Sequence, residues 1–356
     1  MHVIEGVERL AICKQGGFQM GQMDFLDLEA VLSNFHQAAH DALKEFSCLA
    51  GASCKMIDYS ENSTYLVEDG QGKKYILRIS RPNYHKKEEI EAEIAWLNSL
   101  HEQSPIDVSL PIRADDGDYV HAHKLNDIIY YSTLFTFLEG NAPDENNEED
   151  LIQQFETLGT ITAMFHKHTI EQHEYYKDFK RMTWDYDTIV GNSPKWARWQ
   201  DGLGMTPSRL ALYEEASLII KKKLEAFGKS KTRFGLIHSD LRLANLLICG
   251  DEIKVIDFDD CGFGWFLYDL ATSVSFIEHM PYLDDLIASW LKGYSKIRTL
   301  TDEEIEMIPT FILMRRLQLI SWIGSRDNET TRLLGENYTV QSDALVNAYL
   351  EKSRVL

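Results

Sequence analysis

The segment that most constrains the fold lies late in the chain, where residues 238–260 read HSDLRLANLLICGDEIKVIDFDD. Two short β-like runs, LLIC and IKVID, stand on either side of GDE. Such runs around a glycine-containing turn predict an antiparallel hairpin. We centre this hairpin on Asp251, in a register that sets Asn245 opposite Asp257. Because opposed residues lie close together, an amide and a carboxylate should meet at the open end of the hairpin.

Oxygen ligands in such a pair suit Mg²⁺, which proteins usually hold through one or two carboxylates together with substrate phosphates. Asp240 precedes Asn245 in the loop that leads into the first strand, and a carboxylate there is a candidate base that orients a nucleophile. A base Asp, a metal-binding Asn and a metal-binding Asp are the parts of ATP-dependent phosphoryl transfer. We therefore expect ATP and Mg²⁺ as cofactors, Asp240 as the base, and Asn245 and Asp257 as metal ligands.

The same segment resembles the aminoglycoside phosphotransferase/choline kinase-like family, which comprises small-molecule kinases with a protein-kinase-like fold. The resemblance rests on LIHSDLRLANLLI and KVIDFDDCGFGWFLYDLA, which follow the family patterns H-G-D-x-x-x-x-N, I-D-F-[DE] and D-L-A. Ser239 stands where the family usually has glycine. Carried over by position, the resemblance implies the same roles for Asp240, Asn245 and Asp257.

Four neighbouring polar residues have other expected roles. The resemblance implies that Asp269, in YDLA, braces the catalytic loop through hydrogen bonds. We expect His238 to be structural, since a histidine at such a turn is more often a brace than an acid or base. For Asp259 and Asp260 two roles stay open, help with a second metal or contact with a substrate amine.

The resemblance also implies a nucleotide site in the first part of the chain. Arg78, in KKYILRIS, takes the position of the family's ATP-contacting lysine, and Glu93 is its expected partner on the following helix. Arginine differs from lysine in offering a planar fork for bidentate contacts. For Glu89 and Glu91 on the same helix we prefer a solvated surface role.

Two further stretches are expected to contact the nucleotide. A polar loop before the second strand would contact phosphate through Ser60, Asn62, Ser63 and Thr64, although an ordinary hairpin turn has nearly equal weight. LFTFLEG resembles the family's hinge, where backbone groups near Thr136 and Leu138 would meet adenine.

Residue patterns outline the secondary structure. Helical periodicity predicts helices at 24–46, 85–103, 151–168 and 207–227. β-rich runs predict a hairpin, Thr64–Val67 with Lys74–Ser80, and a strand or strand pair at 127–138.

A polar, acidic and turn-rich stretch at 139–150 is the best boundary in the chain. With 356 residues the chain is too long for one small core. We predict an α+β, protein-kinase-like two-lobed fold. Residues 1–138 would form a small, β-rich N-terminal ATP-binding lobe, and residues 139–356 a larger, mainly helical C-terminal lobe for catalysis and substrate binding.

Composition narrows the partners. The formal net charge is -20, from 36 basic and 56 acidic side chains, which disfavours nucleic acid and anionic membranes and favours cations. No stretch approaches the ~18 consecutive apolar residues of a membrane span. Five cysteines without a CxxC motif predict neither a disulfide framework nor a zinc site, and fit a reducing cytoplasm.

We therefore predict a cytoplasmic kinase that moves the γ-phosphoryl group of ATP to a hydroxyl of a small metabolite. Net acidity favours an amino sugar or amino alcohol. The cluster of Arg315, Arg316 and Arg326 favours a carboxylate-bearing acceptor such as homoserine, although for Arg315 and Arg316 individually we prefer helix-surface charge. The alternative function is a catalytically inactive nucleotide-binding regulator of the same fold. The oligomeric state stays open.

Overall fold

The computed structural model describes residues 22–59, 62–326 and 329–355. The chain divides into two compact units, Met1–Asn141 and Ala142–Leu356. The first is built mainly on a β-sheet and the second mainly on helices, so the predicted α+β class is confirmed. None of the helices in these three ranges is long and apolar enough to cross a membrane.

In the described part of the first unit, one antiparallel sheet runs in the order β1-β2-β3-β6-β4, with β5 also paired to β6. Its strands are β1 (Ser53–Tyr59), β2 (Ser63–Glu68), β3 (Lys74–Ile79), β4 (Pro111–Ile112), β5 (His121–Leu125) and β6 (Ile128–Thr136). The long helices of this unit are α1 (Gln22–Ala42) and α2 (Lys87–Gln103). The core forms where inward residues of β2 and β3, such as Val67 and Leu77, pack with Phe35 of α1.

The predicted hairpin is present, because β2 and β3 pair antiparallel with Thr64 opposite Arg78. Residues 127–138 contain the single strand β6 rather than a strand pair. Its hairpin partner β5 was not predicted, because HAHKL has neither a β-branched run nor a clear apolar alternation. Pairing with β6 makes it a strand, which local sequence does not encode.

In the described part of the second unit, β7 (Thr183–Trp184), β8 (Phe234–Ile237) and β11 (Gly262–Trp265) form one sheet, while β9 (Leu246–Cys249) and β10 (Glu252–Val255) form a separate hairpin. The helices are α3 (Glu148–Glu171), α4 (His173–Tyr176), α5 (Tyr186–Ile189), α6 (Pro207–Phe227), α7 (Leu267–Ser273), α8 (Leu283–Tyr294), α9 (Asp302–Glu306), α10 (Ile308–Ser325) and α11 (Glu329–Val355).

The β9–β10 hairpin has a different register from the predicted one, which was wrong by one residue. Cys249 lies opposite Glu252, and the turn consists of Gly250 and Asp251, with φ of 61° at the glycine. The predicted register would have put three residues in the turn. Two-residue turns with a positive φ at the first central residue match the twist of the flanking strands, which explains the preference.

Helices α3 and α8 approach each other closely because two glycines lie at their contact. A Cβ atom on Gly293 would lie 1.8 Å from the Glu156 carbonyl oxygen, and one on Gly159 would lie 2.0 Å from that of Trp290. The Thr160 hydroxyl donates to the Gly293 carbonyl at 3.1 Å. The apolar face predicted for α3 is largely buried, with Ile161 only half-buried, and its enclosed members are Leu151, Phe155, Leu158 and Phe165.

We expect Gly293→Ala to lower the free energy of unfolding by about 1–3 kcal/mol, because the added methyl group forces these two helices apart. Urea denaturation followed by circular dichroism measures the change. Gly70→Ala is the control, since a Cβ at Gly70 meets nothing within 4 Å. Equal stability of the two variants would contradict the close approach.

Candidate active site

The start of the catalytic loop, residues 238–245, is held in place by one carboxylate. Asp269, on α7, is fully buried and accepts the backbone N–H of His238 at 3.1 Å and that of Ser239 at 2.6 Å. Two backbone donors on one carboxylate fix the start of the loop where it leaves β8. Asp269 therefore makes the bracing contacts that the resemblance implied.

Ser239 has φ of 65°, a left-handed conformation that costs a residue with a Cβ atom more than glycine. Its hydroxyl donates to the Asp260 carbonyl at 2.5 Å, a bond that glycine could not make. Ser239 thus has a strained backbone, and its hydroxyl links the catalytic loop to the segment after β10.

Two buried histidines complete the support of the loop. His238 accepts the Asp240 N–H at Nδ1 and donates from Nε2 to the Ile256 carbonyl at 3.1 Å. His166, on α3, contacts Asp269 at 3.1 Å and the Tyr294 hydroxyl at 2.8 Å. Burial lowers the pKa of His166, so its ring is neutral at pH 7. Both histidines have bracing contacts, as expected for His238.

The predicted base, Asp240, is held by charged and polar groups on both carboxylate oxygens. Arg315 donates to Oδ1 at 2.5 Å, and Asn245 and Arg242 donate to Oδ2 at 2.9 and 3.3 Å. Burial by itself would raise the pKa of Asp240, but the charges of Arg242 and Arg315 outweigh it and hold the pKa below its ordinary value. Asp240 is therefore a fixed, ionised hydrogen-bond acceptor.

The preference for helix-surface charge at Arg315 and Arg316 was wrong. Both side chains are buried, with exposed fractions of 2% and 1%. Arg315 pairs with Asp240, and Arg316 donates to Glu278 at 2.9 Å. Their apolar neighbours on α10 gave no sign of which carboxylates would accept them, because Asp240 and Glu278 come from distant parts of the sequence. Arg326 follows the end of α10 and donates to Ser325.

Asn245 and Asp257 lie at the same end of the hairpin despite the shifted register. Ile256 donates its N–H to the Asn245 carbonyl at 3.0 Å, and Asp257 follows directly, with an exposed side chain. The Asn245 amide nitrogen points to Asp240, which leaves its oxygen as the atom that can bind a cation. An oxygen of the buried Asn245 side chain and the exposed Asp257 carboxylate are the kind of atoms that a divalent ion binds together with water and phosphate oxygens.

Asp259 is buried and Asp260 half-buried, and the backbone carbonyls of both are hydrogen-bonded. Arg181 donates to the Asp259 carbonyl, and Trp184 donates to that of Asp260 at 2.7 Å. The Asp260 carboxylate lies close enough to Arg315 to contribute to its pKa, which burial alone would lower but which Tyr268, Asp240 and Asp260 together raise. Within the described ranges, no group of three or more His, Cys, Asp or Glu side chains could hold a metal ion.

In the first unit, Arg78 and Glu93 form a buried bidentate pair, with both N–O distances at 2.8 Å. The side chains are 8% and 1% exposed. Glu91 is an exposed surface residue, as preferred. Glu89 instead caps α2, since its carboxylate accepts the Lys86 N–H at 2.8 Å.

The proposed phosphate-contacting loop is only partly described, because Ser60 lies outside the described residues. The Asn62 side-chain oxygen accepts the Arg81 N–H at 2.9 Å, which ties the loop to the end of β3. Ser63 is fully buried, whereas Thr64 is half-buried and lies opposite Arg78. A phosphate role for these residues stays a prediction.

At the expected hinge, the polar groups of Thr136 are already engaged. Its N–H donates to the Leu110 carbonyl at 2.8 Å, its hydroxyl accepts the Leu110 N–H at 2.9 Å, and its carbonyl accepts the Ser109 hydroxyl. Leu138 follows the end of β6 and is half-buried. A contact of Thr136 or Leu138 with adenine stays a prediction.

Comparison with known proteins assigns the family. The model of a family described as "Phosphotransferase enzyme family" matches residues 58–300, more than half of the chain. The chain belongs to this family. The expected family and protein-kinase-like α+β fold are thereby confirmed, as is the expectation of an enzyme of the small-molecule kinase class.

Three relatives illustrate the membership. The solved structure of a microcompartment-associated aminopropanol kinase is 39% identical, covers 89% of this chain and 98% of its own, and has a TM-score of 0.80. Amicoumacin kinase of Bacillus subtilis (strain 168) is 24% identical over 269 residues, 72% of this chain and 76% of that protein. A solved amicoumacin kinase in complex with AMP-PNP and Ca²⁺ is 21% identical, covers 84% of this chain and 88% of its own, and has a TM-score of 0.68.

Sequence reasoning missed three groups that contact the loop or Asp240. The sequence showed Ser239 only as a departure from the family's usual glycine, without indicating the contact of its hydroxyl, and it indicated no role for Arg242. Arg315 was considered but assigned to the surface. Its one available signal was an arginine pair inside the strongly apolar stretch IPTFILMRRLQLISWIG, since charges at buried helix positions need a partner.

We expect Glu93→Gln to lower the free energy of unfolding by about 3–5 kcal/mol, because it leaves the buried Arg78 guanidinium without a counter-charge. Urea denaturation measures the loss. Glu91→Gln on the same helix is the control and should change stability by no more than about 0.5 kcal/mol. Similar small changes in both variants would show that the Arg78–Glu93 pair is not essential to the fold.

Proposed function

We propose that this chain transfers the γ-phosphoryl group of ATP to the hydroxyl of a small amino alcohol of the aminopropanol type. The observation that carries the proposal is the 39% identity with an aminopropanol kinase over 89% of this chain. The amicoumacin kinase complex with AMP-PNP and Ca²⁺ supports use of a nucleotide and a divalent cation. A reducing cytoplasm is the proposed location, which fits the free thiols of Cys48, Cys54, Cys249 and Cys261.

Charge in the second unit supports an acceptor with an amine rather than a carboxylate. The arginine cluster was the reason to expect a carboxylate-bearing acceptor. The charges of Arg315 and Arg316 are, however, already offset by Asp240 and Glu278 at 2.5 and 2.9 Å. With these two cations neutralised, the acidic character of the chain favours a cationic acceptor.

In the proposed reaction, the Asp240 carboxylate accepts a hydrogen bond from the acceptor hydroxyl. This bond orients the oxygen of the acceptor hydroxyl toward the γ-phosphorus. A new phosphorus–oxygen bond forms, the bond to the β-phosphate oxygen breaks, ADP leaves, and the hydroxyl proton passes to Asp240. Asn245 and Asp257 would hold Mg²⁺, which when bound neutralises phosphate charge. Arg78, held by Glu93, is the proposed phosphate-binding cation of the first unit.

An ADP-release assay with a panel of hydroxyl compounds tests the acceptor. The panel contains the isomers of aminopropanol, ethanolamine, choline, homoserine, hydroxylysine and amino sugars. We expect the highest kcat/KM for an isomer of aminopropanol. A preference for homoserine would contradict the proposal that the acceptor has an amine but no carboxylate. Binding of ATP without turnover of any compound in the panel would favour the inactive regulator.

Asp240→Asn should lower kcat by about 10²–10⁴-fold, the range over which a positioned acid or base contributes. Binding of ATP, measured by calorimetry, should stay close to that of the unmodified protein, since Asp240 serves the acceptor. Near-normal turnover of this variant would exclude Asp240 as the base.

Asp257→Ala should abolish the Mg²⁺-dependent part of ATP binding, because it removes the carboxylate of the proposed metal site. Calorimetric titration of ATP with and without Mg²⁺ measures this difference. Asp251→Ala is the matched control, since Asp251 is an exposed aspartate in the turn at the other end of the same hairpin. Unchanged Mg²⁺ dependence in Asp257→Ala would move the metal site elsewhere.

A further inference from the structure

Arg315 of α10 has a defined partner for each guanidinium nitrogen. Nε donates to the Ser275 hydroxyl at 3.0 Å, Nη1 donates to the Gln318 side-chain oxygen at 3.1 Å, and Nη2 donates to Asp240 Oδ1 at 2.5 Å. Such a fully engaged planar fork has one orientation, so the position of Nη2 is determined by the protein around it.

The surroundings of Arg315 are equally fixed. Gln318 itself accepts the Tyr268 hydroxyl, and the guanidinium carbon lies 5.4 Å from the centre of the Trp196 ring. The Arg315 side chain is 2% exposed. Because the side chain is almost completely shielded from solvent and each guanidinium nitrogen has a partner, Arg315 is pre-organised before any substrate binds.

The two oxygens of Asp240 are held from different directions. Arg315 contacts Oδ1, while the Asn245 amide and Arg242 contact Oδ2. This arrangement fixes rotation about the side-chain bonds of Asp240. An ionised carboxylate has about four lone-pair directions, so a substrate hydroxyl can still donate to it.

We propose that Arg315 is a positioning residue for phosphoryl transfer, which holds the Asp240 carboxylate in the orientation that receives the acceptor hydroxyl. This inference rests on the proposed function. The guanidinium acts through Asp240 and touches neither the phosphoryl group nor the acceptor. It also offsets the negative charge of Asp240, which would otherwise repel an approaching anionic phosphoryl group.

A purely structural role for Arg315 is the competing explanation, and the adjacent Arg316 provides the matched control. Arg316 is as deeply buried and also pairs with a carboxylate, but its contacts are with Glu278, Tyr338 and Ser342. Loss of either arginine should destabilise the second unit. Only loss of Arg315 should change the chemistry of the molecules that remain folded.

The experiment compares Arg315→Ala with Arg316→Ala, on the acceptor that the unmodified protein turns over best. We expect kcat per folded molecule to fall about 100-fold in Arg315→Ala, the effect of a misplaced catalytic group. The KM for ATP should stay within about threefold of that of the unmodified protein, because the lost contact orients Asp240 toward the acceptor and does not bind ATP. Added guanidinium chloride, at concentrations far below denaturing ones, should restore kcat about tenfold by occupying the vacated site beside Asp240.

Arg316→Ala should keep kcat per folded molecule within about threefold and gain nothing from guanidinium, because Arg316 contacts Glu278 rather than Asp240. If Arg315→Ala fails to fold, Arg315→Lys replaces it. Lysine keeps the charge but loses the fork, so kcat should fall about tenfold with an unchanged KM for ATP. Equal kcat per folded molecule in all variants, or equal response of both alanine variants to guanidinium, would overturn the positioning role.

Failure of this inference is distinguishable from failure of the proposed function. If the unmodified protein phosphorylates an acceptor and Arg315→Ala does so equally well per folded molecule, only the role of Arg315 is overturned. If the unmodified protein releases no ADP with any acceptor, the proposed function is overturned, and the positioning role with it.

Discussion

The active region of the second unit depends on one buried carboxylate. Asp269 accepts two consecutive backbone N–H groups at the start of the catalytic loop and is itself contacted by His166 from α3. A carboxylate without partners at 0% exposure would carry a large desolvation cost, and these donors satisfy it. Because these bonds are made to the backbone, Asp269 fixes the path of the chain just before Asp240.

A second layer of contacts then orients the Asp240 side chain. It comes from α10, through Arg315, and from the catalytic loop itself, through Asn245 and Arg242. Breaking one member of a buried charge pair leaves the other uncompensated, so such pairs tolerate change poorly. The two adjacent arginines of α10 have different partners. Arg315 binds Asp240, whereas Arg316 binds Glu278 and also the Tyr338 carbonyl of α11. The helix is therefore both a core element and part of the site.

Much of the fold was predictable because its signals are local. The amphipathic period of α3, the Pro207 start of α6 and the β2–β3 hairpin all follow from neighbouring residues. The register of β9–β10 was missed by one residue, because the sequence around Gly250 permits turns of two or three residues. Strand β5 was missed because its pairing with β6, rather than its own composition, makes it a strand.

By itself, the sequence determined which residues are the candidates for the chemistry. The spacing of Asp240, Asn245 and Asp257 is a property of one continuous segment, so a motif can report it. Only the tertiary structure decided what surrounds them. The Arg315–Asp240 pair joins residues 75 positions apart, and the apolar stretch around Arg315 does not indicate which distant carboxylate is its partner. A contact between distant segments depends on how helices pack, and packing geometry is not written in the spacing of either segment.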